Sequence, residues 1–375
     1  MEVRETNYLF KISKIIKEFL DKNLTFEEIC QNSEGAFPTL VKDIVDNRCY
    51  KITNETIIYT NEPENIPEPH PIDYDWRFDD KSAMKLANYC FTKRSNILCV
   101  GTPSVFKYLI NRNCHITLID RNPHICNYYS KISDDIINID FMQYNKKSIL
   151  FDTIIMDPPW YTNVIKSWLL KSLKFSKVGT RIILPIIPKL VRPSANFERT
   201  DIFNLMNEIG FFWKLPFKIY YKTPLFEQET LSYYNLPQLL NWRVCDFIVL
   251  YILNNSTRRK FEYPLEYKWQ RFIIGNQTIV LRKLIDDNGA TIKVSSLYSD
   301  GSFILKSVSN NHYIRNSINL WTSRNRVMKV YGFKRIFSFL KEIELGGNPK
   351  HLISKFSNNN EELAALELIE KLIGV

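Results

Sequence analysis

The sequence predicts an α/β protein whose central domain is a mostly parallel, doubly wound sheet, with a helical amino-terminal domain and a small basic α+β carboxy-terminal domain. Three observations predict it. Between residues 96 and 160, short apolar runs ending in a glycine or an acid alternate with helix-like stretches, as parallel strands and crossover helices do. One of these runs, Phe151-Asp152-Thr153-Ile154-Ile155-Met156-Asp157-Pro158-Pro159-Trp160, breaks off abruptly in an acid, two prolines and a tryptophan. The basic residues are concentrated late: residues 257–350 hold 17 Lys plus Arg against 7 Asp plus Glu, an excess of ten that equals the formal charge of the whole chain, +10.

With 375 residues, 45% hydrophobic and 14% aromatic, the chain can bury cores for two or three domains. Its longest apolar runs, at 182–187 and 245–253, fall well short of the roughly 20 residues that cross a bilayer. The start, Met1-Glu2-Val3-Arg4-Glu5-Thr6, has acids where a secretory signal has a basic start and an apolar core, so a cytoplasmic protein without a membrane partner is expected. Seven cysteines, at 30, 49, 90, 99, 114, 126 and 245, form no C-x-x-C pair and read as reduced core thiols. Five scattered histidines lack the spacing of a zinc site, so no metal is expected.

In chain order, residues 7–20 carry apolar side chains at helical spacing. Thr25 with Glu28 predicts a capping box for a second helix to Cys30, and 37–45 predicts a third. Alternating strands at 49–52 and 56–59 follow, giving residues 1–60 the element order of a winged helix-turn-helix. Such a module reads nucleic acid with its third helix or serves as a dimerisation or protein-docking unit. Two acids against one lysine in 37–46 leave protein contact or homodimerisation at least as open as base reading. Prolines 63, 67, 69 and 71 mark a linker over 61–75. The central domain then spans 76–256 and the basic domain 257–375.

The central domain begins with a helix over about 79–91 and the strand Asn96-Ile97-Leu98-Cys99-Val100, turned by Gly101, with Thr102-Pro103-Ser104 opening the next helix. A glycine at such a turn lets backbone approach a nucleotide-like ligand. The strand His115-Ile116-Thr117-Leu118-Ile119-Asp120 ends in an acid about 20 residues later, placed for the ribose hydroxyls of a nucleoside cofactor. A third strand over 136–141 brings Asp140 and Phe141, suited to an adenine amine and ring face. After Trp160 come a helix at 164–175, a strand at 180–187, a helix at 201–209, and strands at 211–221 and 246–253, the antiparallel pair that completes seven strands.

The tetrad Asp157-Pro158-Pro159-Trp160 resembles the Asp-Pro-Pro-Trp/Tyr motif of amino-methyltransferases that use S-adenosylmethionine and methylate adenine N6 or cytosine N4. The order of strand, glycine turn, strand with acid, strand with acid, and Asp-Pro-Pro-Trp is similarly that of Rossmann-like methyltransferases, over roughly residues 76–254. The resemblance implies S-adenosylmethionine held by Gly101, Asp120, Asp140 and Phe141, and an amine held by Asp157 and the Pro158 carbonyl. Pro159 would shape the turn, Trp160 would stack on the base and Tyr161 would edge the pocket. The turn departs from the family in having one glycine, a proline at 103 and no acid.

The basic domain reads as strands at 271–281, 292–297 and 303–308 and a terminal helix at 361–372. Trp321, Arg324 and Arg326 lie in a stretch where aromatic and basic residues interleave, the pairing that stacks bases and grips phosphates, so DNA or RNA is the expected partner. Two other readings accompany this one. The layout of winged helix, Rossmann-like core and Asp-Pro-Pro strand end also resembles branched-chain polyamine synthases, which implies an aminopropyltransferase. The reduced glycine turn fits a catalytically silent module that binds nucleic acid or protein.

Overall fold

A computed structural model describes residues 2–20, 22, 24–46, 66–145, 149–255, 268–287, 289, 291–307, 309 and 312–374. The chain divides into two compact units: Met1–Ile58, Trp76–Thr223 and Leu236–Pro264 form the first, and Tyr59–Asp75, Pro224–Asn235 and Leu265–Val375 the second.

The first unit opens on α1 (Glu2–Leu20), α2 (Phe26–Asn32) and α3 (Pro38–Asp46). The capping box forms: the Thr25 hydroxyl accepts from the Glu28 N–H at 3.3 Å, and the Glu28 carboxylate accepts from the Thr25 N–H at 2.8 Å. Ile12, Ile16, Ile29 and Val41 are fully buried. The strands expected at 49–52 and 56–59, which would complete a winged helix, lie outside the described residues.

The chain then runs α4 (Asp80–Cys90), β1 (Asn96–Val100), α5 (Pro103–Leu109), β2 (His115–Asp120), α6 (Pro123–Tyr129), β3 (Ile136–Asn138) and β4 (Phe151–Met156). There follow α7 (Thr162–Ser172), β5 (Ser176–Ile186), α8 (Ala195–Ile209), β6 (Gly210–Tyr221), α9 (Leu225–Tyr233), which belongs to the second unit, and β7 (Arg243–Ile252). The seven strands form one sheet in the order β3-β2-β1-β4-β5-β7-β6. Only β7 runs against its neighbours; its pairs with β5 and β6 are antiparallel and the others parallel. This is the Rossmann-like arrangement the element order predicts. Leu98, Ile154, Ile182 and Leu250, at or near full burial, pack with Leu169, Ile202 and Leu205 from the helices.

The order of strands reverses between β1 and β4, and at such a switch point the loops diverge and leave a crevice at the carboxyl edge of the sheet. Gly101 follows β1 there and Asp157 follows β4, with Val100 and Met156 in register and the Asp157 N–H donating to the Val100 carbonyl at 3.2 Å. Because β6 runs parallel to β5, its last residue, Tyr221, reaches this same edge, paired with Arg243 at the start of β7.

In the second unit the run at 271–281, expected as one strand, is a hairpin: β8 (Gln270–Ile274) and β9 (Gln277–Leu281) flank Gly275, whose φ of +59° turns the chain. The strand expected over 303–308 reduces to a single bridge, Ile304 with Arg326. The five-stranded sheet, ordered β10-β12-β11-β9-β8, is completed by β10 (Lys293–Ser295), β11 (Leu320–Thr322) and β12 (Val327–Tyr331). Helices α10 (Phe333–Glu344), α11 (Pro349–Phe356) and α12 (Asn360–Ile373) share its core, with Phe272, Leu320, Val330, Phe339 and Leu366 buried together. Among the described residues no helix is long and apolar enough to cross a membrane.

Candidate active site

The apolar residues of β4 place Asp157 at the carboxyl edge because the two prolines after it cannot continue the ladder. The turn beyond is clamped. Tyr161 donates its N–H to the Pro159 carbonyl at 2.6 Å, and Arg192 donates to the Trp160 carbonyl at 2.6 Å. Arg192 also pairs with Glu198, which accepts from Thr162 and Ser194, and its guanidinium lies 5.7 Å from the Tyr161 ring centre. A loop fixed at both carbonyls and at the first turn of α7 holds its side chains without paying ordering entropy at each turnover.

Asp157 retains partial exposure, yet burial of its carboxyl group pushes its pKa up to about 8. The Tyr221 hydroxyl donates to Asp157 Oδ1 at 2.9 Å and works in the opposite direction, favouring the carboxylate. Cys245 donates its thiol to the Tyr221 oxygen at 3.6 Å. The Trp160 ring stands edge-on to the Tyr221 ring, centres 5.7 Å apart. Arg243 lies over a group of tryptophans, its guanidinium 5.1 Å from the centre of Trp76, 5.8 Å from Trp160 and 4.5 Å from Trp242.

Gly101 adopts φ +60°, a conformation that glycine takes without strain, and its N–H donates to the Ile119 carbonyl at 2.9 Å. A Cβ at this position would lie 3.8 Å from the Asp157 carbonyl oxygen, which brings the glycine turn and the motif side by side. Asp120 is nearly buried at the end of β2, with Oδ1 accepting from the Asn122 N–H at 2.8 Å. Asp140 accepts from the Met142 N–H at 2.7 Å. Gly101, Asp120, Asp140 and Asp157–Trp160 thus line one edge of one sheet.

Other expected site residues fall elsewhere. Phe141 is 2% exposed and packs on Trp168 and Phe175 in the core, so its ring is closed to a cofactor. Trp321 is 1% exposed, its indole N–H donating to Asn325, and a ring so enclosed presents no face to a base. Arg324 pairs with Glu68 at 3.0 Å and Arg326 with Glu229 at 2.9 Å, so both guanidinium groups are engaged within the second unit. Conversely, Tyr221, Cys245, Arg192 and Glu198 were absent from the sequence expectations. No local motif marks them.

Residues 75–205, about a third of the chain, match the family described as "Probable N6-adenine methyltransferase". The match falls on the Rossmann-like core, from its first helix to α8. The matched stretch holds Gly101, Asp120, Asp140 and the motif, whereas Tyr221 and Arg243 lie beyond it. Among solved structures, a branched-chain polyamine synthase from Thermus thermophilus shares the fold with a TM-score of 0.51 at 10% identity, over 68% of this chain and 90% of that one. The N-methyltransferase NodS from Bradyrhizobium japonicum aligns with a TM-score of 0.32 at 15% identity, over 47% of this chain and 86% of that one. No curated protein matches the sequence.

S-adenosylmethionine, which the motif resemblance implies, would meet three features of this edge. Its glycine turn carries no side chain at a positive φ, the acid at the end of β2 would meet ribose hydroxyls, and the buried Thr102 hydroxyl at the turn meets no oxygen or nitrogen partner among the described residues. Asp140 follows β3 by two residues, at the same edge.

Proposed function

We propose that the chain transfers a methyl group from S-adenosylmethionine to an exocyclic amino group of a nucleobase, adenine N6 in DNA or RNA before others. One observation carries this reading: Asp157, enclosed at the carboxyl edge beside the glycine turn, has one carboxyl oxygen held by Tyr221 and the Trp160 ring next to it. Gly101, Asp120 and Asp140 would hold the cofactor, which supplies an electrophilic methyl on a sulfonium.

The chain's own residues act on the amine. An exocyclic nitrogen is a weak nucleophile because its lone pair is delocalised into the ring. The ionised Asp157 carboxylate and the Pro158 carbonyl accept its two N–H groups, which turns the lone pair out of conjugation and stabilises the positive charge that grows on nitrogen. The extra proton on the methylated nitrogen is then taken up by Asp157. Trp160 offers the base a stacking face, and a duplex base would have to be flipped out to reach it. Exposed lysines of the second unit, Lys268, Lys283 and Lys293 among them, would add salt-sensitive affinity for the phosphate backbone.

A second reading follows from the shared fold of the polyamine synthase, whose structure is a complex with N4-aminopropylspermidine and 5'-methylthioadenosine. Aminopropyl transfer to a polyamine would also use an acid to hold an amine. Arg243 beside Trp160 favours the nucleobase, because a flat neutral ring stacks there without bringing further positive charge next to a guanidinium. Calorimetry with S-adenosylmethionine and its decarboxylated analogue separates the readings. Preference for S-adenosylmethionine, followed by labelled methyl transfer to adenine-containing oligonucleotides, is expected. Preference for the decarboxylated form would transfer the site to the polyamine reading, and binding of neither would leave a silent module.

A further inference from the structure

The geometry assigns Tyr221, 64 positions beyond Asp157 in the chain, as the positioning residue that fixes both reactive side chains of the Asp-Pro-Pro-Trp turn; the assignment rests on the amine-methylating reading above. Its hydroxyl donates to Oδ1 of Asp157 at 2.9 Å, and its own oxygen is occupied by the Cys245 thiol at 3.6 Å, so the phenolic proton is committed to the carboxyl group. With Oδ1 taken, Oδ2 is the oxygen left to face an incoming amine. The same ring meets Trp160 nearly at right angles, centres 5.7 Å apart, and is backed by Phe78 at 4.9 Å, whose backbone bridges Tyr221 at the end of β6. One side chain therefore sets the rotation of the acid and the tilt of the stacking tryptophan.

Tyr221 is 2% exposed, so water does not replace its hydroxyl, and its position at a strand end makes the contact as rigid as the sheet. Among the described residues, the ionisable groups facing Asp157 are Tyr221 from β6 and Cys245 from β7. Burial and the neighbouring carboxyl hold both well above their ordinary values, so they stay neutral while Asp157 titrates. Arg243 is the nearby fixed cation, over Trp160.

The test replaces Tyr221 by Phe and by a ring-fluorinated tyrosine, a stronger donor of the same shape. The Asp157 carboxyl carbon is followed by carbon-13 NMR, assigned by comparison with Asp157→Asn. In Tyr221→Phe the Asp157 titration is expected to move to higher pH and kcat toward adenine-containing DNA or RNA to fall on the order of 10-fold to 100-fold, with S-adenosylmethionine affinity unchanged. The fluorinated side chain is expected to move the titration to lower pH, and this variant keeps the test open should Tyr221→Phe fold poorly. An unmoved titration in both variants overturns the assignment, as does a moved titration with unchanged kcat. If the titration moves as stated but the wild type methylates no nucleobase, Tyr221 still positions Asp157 and the proposed substrate is wrong.

Discussion

The carboxyl edge of the seven-stranded sheet and the basic stretch of the second unit looked equally rich in chemistry, and they turn out to use their polar groups in opposite ways. At the sheet edge, residues from 101, 120, 140, 157, 221 and 243 converge, and Tyr221 holds one carboxyl oxygen of Asp157. In the basic stretch four arginines are each paired with an acid of the same unit. Arg324 meets Glu68, Arg326 meets Glu229, Arg335 meets Glu362 and Arg271 meets Asp73, whose side chain is 2% exposed. Charge counted along a sequence includes every such internal pair, so it overstates the charge a partner would meet.

The largest expected effect lies at the edge. Asp157→Asn removes the charged acceptor and is expected to lower kcat on the order of 1,000-fold while S-adenosylmethionine binding persists. Retained methylation in a radiolabel assay would break the comparison outright, since the edge would then hold no essential acid.

In the second unit the corresponding change should act on stability. Glu362, 2% exposed in its side chain, pairs with Arg335 and accepts from the Ile292 and Asn358 N–H groups. Arg335→Ala leaves that carboxylate buried without its cation and is expected to cost about 3 kcal/mol in denaturant unfolding of this unit, with oligonucleotide affinity little altered below the transition. A stable variant with lost affinity would mean that Arg335 faces the nucleic acid. Because these partners depress Glu362 from 4.5 to about 2, its contribution is complete above the unfolded value and fades as pH falls from about 4.5 toward 2. A melting curve flat across that window would show the pair to be idle.

Asp120→Ala, which removes a carboxylate from the end of β2, is expected to weaken S-adenosylmethionine binding by on the order of 10-fold to 100-fold in calorimetry. The pH profile is a gentler probe. Asp157 titrates near 8 in the free site and must be ionised to accept from an amine, so kcat/KM is expected to rise with pH and level off above about 8. A profile already flat from pH 6 would mean that the carboxyl is not the group in use. The smallest effect is expected on the surface. Lys283→Ala with Lys293→Ala should reduce the salt slope of nucleic-acid binding by roughly 1 to 2, and an unchanged slope would move the phosphate contacts elsewhere.

Much of the edge was legible because a parallel strand and the residue that ends it are local features. The runs before Gly101, Asp120 and Asp157 needed only their own apolar side chains and terminating residues to be read, and all three lie where those runs placed them. Boundaries were less legible. Helix α8 begins at Ala195, ahead of the 201–209 expected, because the Arg192 and Glu198 clamp organises its first turn. Phe141 and Trp321 were misread because an aromatic residue near a functional stretch looks the same whether its face meets a ligand or the core.

The sequence by itself determined the strands, their polar ends and therefore Asp157, Asp120 and Gly101, since backbone propensity and side-chain periodicity act over a few residues. Tertiary structure alone decided that Cys245 meets Tyr221 and Tyr221 meets Asp157, that Arg192 locks the Trp160 turn, and that Arg324 and Arg326 pair with Glu68 and Glu229. Those contacts join positions far apart in the chain, and which distant residues become neighbours depends on the order in which strands enter a sheet.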